Sequence, residues 1–146
     1  MKNRLQIVLA TVSLLAGMMI YLFFRSREYL GFVVLDALGL KSAVDVIRSW
    51  VEEVAVPDFV SYCLPDGLWS VSYILFSDYY NRDEPLRTRL IYASVIPLLG
   101  CVSELLQLAT ILPGVFDIRD LVCYILPLLT YIGILISKHN ENISID

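Results

Sequence analysis

Pro97 to Pro127 reads PLLGCVSELLQLATILPGVFDIRDLVCYILP: an apolar segment, a short turn marked by Pro113 and Gly114, and a second apolar segment. Within it stand Glu104, Gln107, Asp117, Arg119 and Asp120. Apolar segments of this length suit a chain folded in hydrocarbon. There an ionisable group is expensive, so it faces a bundle interior or a wet cavity and commonly marks function. The stretch therefore reads as a membrane hairpin that carries the candidate site.

The rest of the chain agrees with that reading. Of its 146 residues 58% are apolar and 18% charged, and the mean hydropathy is +0.69, a balance richer in apolar residues than an ordinary soluble domain. The length suits one domain, with room for about four or five spans at ~20 residues each. A formal net charge of -4 argues against a nucleic-acid partner, which calls for clustered Lys and Arg. Cys63, Cys101 and Cys123 each lie in an apolar run without C-x-x-C spacing. They read as small hydrophobes within helices, and neither a disulfide framework, a metal site nor a cofactor is expected.

Taken in order, the pattern predicts an all-α, multi-pass membrane helical bundle in a single domain, residues 1–146. Its four transmembrane helices run over about 5–24, 62–80, 90–112 and 121–137, with one amphipathic interfacial segment over about 42–56. The first span, Leu5 to Phe24, has no charge and is flanked by Lys2, Arg4, Arg25 and Arg27. It is longer than the ~7–15-residue core of a signal peptide and no small-residue cleavage motif follows it, so an uncleaved helix is expected. In the amphipathic segment Val44, Ile47, Trp50, Val51 and Val54 recur at helical spacing, with Asp45, Arg48 and Glu52 on another face.

Pro65 leaves two starts open for the second span. Either the helix begins there and Asp66 sits in its first turn, or it begins near Phe59, Pro65 makes a kink and Asp66 lies about 10 Å inside. In both, Asp66, Ser70, Tyr73 and Ser77 share one face, expected to turn inward. Pro97 and Pro127 are kink candidates, Gly100 permits close helix approach, and the tail from Lys138 to Asp146 is expected to fray. Four spans put both termini on one side. The short connection NRDEPLRTR, with Arg82, Arg87 and Arg89, assigns that side to the cytoplasm.

Topology then concentrates the polar residues. The start of span two, the end of span three and the start of span four meet at one membrane face, so Asp66, Glu104, Gln107, Asp117, Arg119 and Asp120 are the candidate ligand-binding residues. Glu104 lies about 13 Å below Pro113 by helical rise, and either carries its proton or pairs with Arg119 folding back from the loop. A purely structural reading makes the same residues a polar staple that fixes helix register.

Ser103-Glu104-x-x-Gln107, then Gly114-x-Phe116-Asp117-x-Arg119-Asp120 opening the next span, resembles the membrane segment of VanZ-like proteins. Leu64-Pro65-Asp66-Gly67-Leu-Trp69 resembles the start of that family's second helix. The resemblance covers roughly Val56 to Gly133. After Asp120, where that family tends to show Asn and Gly, this chain has Cys123, Tyr124 and Pro127. The resemblance implies a small multi-pass protein of a bacterial cytoplasmic (inner) membrane, from a family linked to glycopeptide or lipopeptide antibiotic tolerance. Carried over by residue, its candidates are Asp66, Glu104, Gln107, Arg119 and Asp120.

The expected function is binding of a lipid head group or cell-envelope precursor, with Arg119 on a phosphate and Glu104 and Asp66 orienting amide or hydroxyl groups. Expected partners are membrane lipid, a lipid-linked phosphate ligand, and a second copy or another membrane protein. A competing function is that of a membrane enzyme acting on a lipid-linked substrate, with Glu104 as general base. It lacks a recognisable nucleophile, and the one histidine, His139, stands in the tail, so binding is favoured over catalysis. A purely structural or interaction protein also fits the pattern, as does a proton or ion path along Asp66, Ser70, Tyr73, Glu104 and Gln107.

Overall fold

The computed structural model describes the backbone of residues 2–25, 35–51 and 53–143, and within these ranges the side chains from 4 to 137. Expectations resting on Arg27 and Glu52 fall outside the described residues. The described residues form helices joined by turns, with no strand among them: α1 (Lys2–Phe24), α2 (Lys41–Val51), a wide π-helical turn (Phe59–Cys63) running into α3 (Leu64–Tyr80), α4 (Leu86–Leu108) and α5 (Ile118–Ile143). Among the described residues three helices are long and apolar enough to cross a membrane, namely Arg4–Phe24 of α1, all of α4, and Ile118–Ser137 of α5.

The wide turn shows how the chain meets Pro65. A proline ring collides with the carbonyl four residues earlier and offers no N–H, so an ordinary helix running through from Phe59 would be strained at Ser61. Here the turn before α3 is loosened to a π-helix, with the Leu64 N–H donating to the Phe59 carbonyl, and the α-helix starts with Pro65 in its first turn. The helical path thus begins at Phe59, yet Asp66 still occupies the first α-helical turn.

α3 is the centre of the bundle. It packs against α1, α4 and α5, whereas among the described residues α1 packs against neither α4 nor α5. Small residues allow these approaches: a Cβ at Gly17 of α1 would lie 2.6 Å from the Trp69 indole nitrogen, and Gly67 faces Cys123 of α5. Ile74, Ala93 and Leu128 form the small apolar core. Around it the usual distribution is inverted. Asp66, Ser70, Ser72 and Glu104 are buried, while Leu5, Val12, Leu98, Leu126 and many like them are exposed. A bundle surrounded by hydrocarbon has this character, because lipid gives no reason to hide leucine.

Two helix ends differ from expectation. α4 ends at Leu108 rather than near Leu112, because the chain turns through Thr110 at φ 58. The Ile111 N–H donates to the Leu106 carbonyl at 2.9 Å and the Thr110 N–H to the Gln107 carbonyl at 2.9 Å, the bond pair of a Schellman end with threonine in the position usually given to glycine. Glu104 therefore lies about 6 Å from its helix end by rise, not about 13 Å. At the other terminus α5 continues to Ile143, so the tail expected to fray is helical for most of its length.

At the end of the bundle where α3 finishes, Asp78 gathers side chains from the three other long helices. The Tyr131 hydroxyl of α5 donates to its Oδ1 at 2.7 Å, Gln6 Nε2 of α1 to its Oδ2 at 2.9 Å, and the Arg89 guanidinium of α4 forks onto Oδ1. Gln6 Nε2 also reaches the Leu75 carbonyl at 2.9 Å.

Candidate functional site

A cleft of about 470 Å³ opens at the opposite end, where α3 and α5 begin and α4 ends. Asp66, Glu104, Gln107, Asp117 and Asp120 all line it, joined by Arg25, Tyr62 and Tyr124. The structure thus brings five of the six candidate residues together. It does not bring Arg119, whose side chain is exposed and outside the cleft lining. Helical geometry explains the omission: Asp117 and Asp120 are three residues apart and share a face, and Arg119 points away from it.

Asp117 precedes α5 and works as its N-cap. Its Oδ1 accepts the backbone N–H of Arg119 at 2.8 Å, satisfying one of the donors that a helix start leaves over. The N–H of Asp117 itself donates to Glu104 Oε2 at 3.3 Å, and Gln107 Nε2 donates to Glu104 Oε1 at 3.4 Å. Both bonds are long, so buried Glu104 is held weakly for a carboxylate. Gly114 is required here. At φ +136 it lies so close to Gln107 that an added Cβ would stand 2.5 Å from Oε1.

Among the described residues, the basic group lining the cleft is Arg25, and the expected Arg119 is not there. Its Nη1 stands 3.9 Å from Asp66 Oδ2, beyond hydrogen-bond reach, and its guanidinium lies over the Tyr21 and Tyr62 rings at 5.1 and 5.9 Å. Trp69 continues the stack with its ring 5.4 Å from Tyr21. Nothing in the sequence marked Arg25 as more than a flank of the first span, since only the packing of α1 on α3 swings its end over Asp66. Tyr124, also unforeseen, lies beside Asp66 and covers Gly100, where a Cβ would meet its ring at 2.6 Å.

Cys63 joins the acidic side. Its sulfur and one oxygen each from Asp117 and Asp120 lie within 4.8 Å of one another, a mixed soft and hard donor set that a cation could share. Asp120 Oδ1 is buried with no hydrogen-bond partner among the described residues. No family model, curated protein or solved structure matches this chain. Among the described residues the cleft offers four carboxylates, one guanidinium, one amide, two phenols and the Ser103 hydroxyl, and its carboxylates have fewer donors than they can accept.

Proposed function

We propose that this chain is a four-span, VanZ-like protein of a bacterial inner membrane that binds the head group of a lipid or lipid-linked envelope precursor in this cleft. The observation that carries the reading is the lining: Asp66, Glu104, Asp117 and Asp120 with Arg25, at the end of a bundle whose exterior is apolar. Carboxylates in excess of their internal donors favour a ligand that brings N–H or ammonium groups. Arg25 supplies the anion partner that the sequence had suggested in Arg119, so a zwitterionic head group, phosphate with amine, fits best.

The fourth span is α3. At 17 residues it is about 25 Å long, and the π-helical turn extends it toward the ~30 Å of a hydrocarbon core. α2 supplies the interfacial helix, with Val44 buried against the bundle and Val46, Ile47 and Trp50 exposed. Arg82 of the connection and Arg87 and Arg89 of the first turn of α4 lie at the other end, so the positive-inside rule assigns the cleft to the outer leaflet.

Native mass spectrometry of the purified protein with phosphatidylethanolamine and phosphatidylglycerol tests the reading. The wild type is expected to retain phosphatidylethanolamine selectively, and Glu104→Gln and Asp120→Asn to lose that selectivity while remaining folded. Equal retention of both lipids by wild type and variants would refute it.

A further inference from the structure

Arg48 stands on α2, outside the cleft, yet its guanidinium ends on the last turn of α1. Nη1 donates to the Leu22 carbonyl at 2.7 Å and Nη2 to the Arg25 carbonyl at 3.0 Å. A helix C-terminus leaves carbonyls without intrahelical donors and carries partial negative charge, so a cation there is stabilising. The planar fork of arginine serves two acceptors at once, which a lysine ammonium does less well. The second acceptor is the telling one. Arg25 is the first residue beyond α1, and it is the side chain of that residue that crosses to Asp66 in the cleft.

α2 is tied to the bundle narrowly. Among the described elements it packs against α1 and no other. Among the described residues a cavity of about 430 Å³ lies between it and the end of α1, lined in part by Phe23, Phe24, Asp45, Arg48, Ser49 and Ser61, so this contact is not close-packed throughout. Its outer side is apolar: Val46 is 54% and Trp50 75% exposed. α1, against which α2 packs, also exposes apolar residues such as Leu15, Met18 and Met19, which the proposed function places in lipid, and the occupant that the outer side of α2 fits is the membrane surface itself.

We infer that α2 is a membrane-seated lever on the cleft, its depth in the lipid surface setting, through Arg48 and the main chain of Arg25, how closely the Arg25 guanidinium stands to Asp66. Arg48 is thus a positioning residue that never touches the ligand. The inference rests on the proposed membrane placement but not on the identity of the head group, so either can fail alone. Its consequence is that the lipid surface tunes the cleft's affinity.

The chain has two tryptophans, Trp50 on α2 and Trp69 stacked on Tyr21 beneath Arg25. Trp50→Phe therefore leaves one reporter beside the cleft. The full chain carrying Trp50→Phe is reconstituted into small, highly curved and into large phosphatidylcholine vesicles, because amphipathic helices seat differently with curvature. Trp69 emission is expected to differ between the two sizes, and the difference to vanish on adding Arg48→Ala. A difference that persists without Arg48, or no difference with Arg48 present, overturns the inference. A second measurement is the melting of Arg48→Ala, Asp66→Asn and the double variant. Coupling through Arg25 predicts that the double variant loses clearly less than the two single losses combined, with Gln6→Ala and Asp66→Asn adding in full as the control. Full additivity of Arg48→Ala with Asp66→Asn overturns it as well.

Discussion

α3 carries an aspartate near each end, and the bundle treats the two in opposite ways. Asp78 is saturated: Arg89, Tyr131 and Gln6 reach its oxygens from three other helices. Asp66, twelve residues earlier and about 18 Å away by helical rise, shares a cleft with three further carboxylates and stands 3.9 Å from its arginine. A buried polar network that is fully satisfied specifies a structure, and one left partly unsatisfied costs stability. The difference identifies Asp78 as the staple that registers the four helices. At the Asp66 end the proposed function gives the remaining electrostatic capacity to a ligand.

The comparison breaks most sharply at the staple. Asp78→Ala removes the acceptor of three donors and leaves Arg89 without its carboxylate, a loss of about 3 kcal/mol, the lower end of the range for breaking a buried ion pair since this one is partly exposed. Thermal melting in detergent should show it as the largest single effect in the molecule, with Asp78→Asn milder because an acceptor remains. A melt unchanged by Asp78→Ala would dissolve the distinction between the two ends.

Next in size is Gly100→Ala. The new methyl would meet the Tyr124 ring at 2.6 Å, and overpacking of this kind costs about 1–3 kcal/mol. Because Tyr124 lies beside Asp66, the ring's displacement should also lower lipid retention in native mass spectrometry. An equally destabilising change at the other end, such as Gln6→Ala, should leave retention alone. Thr110→Gly sharpens the same end from the opposite direction. A threonine at φ 58 carries left-handed strain of about 1–2 kcal/mol that glycine does not. The variant should therefore melt higher by about 1 kcal/mol, or by less if glycine's freedom in the unfolded chain offsets the gain.

These residues also show what the sequence could and could not convey. The turn after α4 forces its end and the start of α5 to one face, so the convergence of Glu104, Gln107, Asp117 and Asp120 follows from the hairpin pattern alone. The place where α4 stops does not. Pro113 and Gly114 are the stronger written signal, whereas the chain turns at Thr110 through backbone bonds that no side chain announces. Arg25 and Asp78 were illegible for a related reason. Each matters through a partner more than forty residues away, Asp66 and Tyr131, and periodicity gives the face of a helix without saying which neighbour it meets. Arg119 misled because adjacency in sequence is not adjacency on a helix: the residue before Asp120 points elsewhere.

The smallest expected effect is the most informative about the cleft. Glu104→Gln keeps the size of the side chain and one acceptor oxygen, puts an amide NH2 in place of the other, and removes the capacity for negative charge beside three further carboxylates. Its present bonds are long, 3.3 and 3.4 Å, so little is lost with the charge, and relief of repulsion from Asp117 and Asp120 offsets it. The melt should stay within about 0.5 kcal/mol of wild type, or rise. Asp78→Asn, the same chemical change at the saturated end, should lower it. If the two amide variants fall alike, the carboxylates of the cleft are a second staple. If only Asp78→Asn falls and Glu104→Gln loses lipid selectivity, the charge at residue 104 is there for the ligand, because the fold does without it.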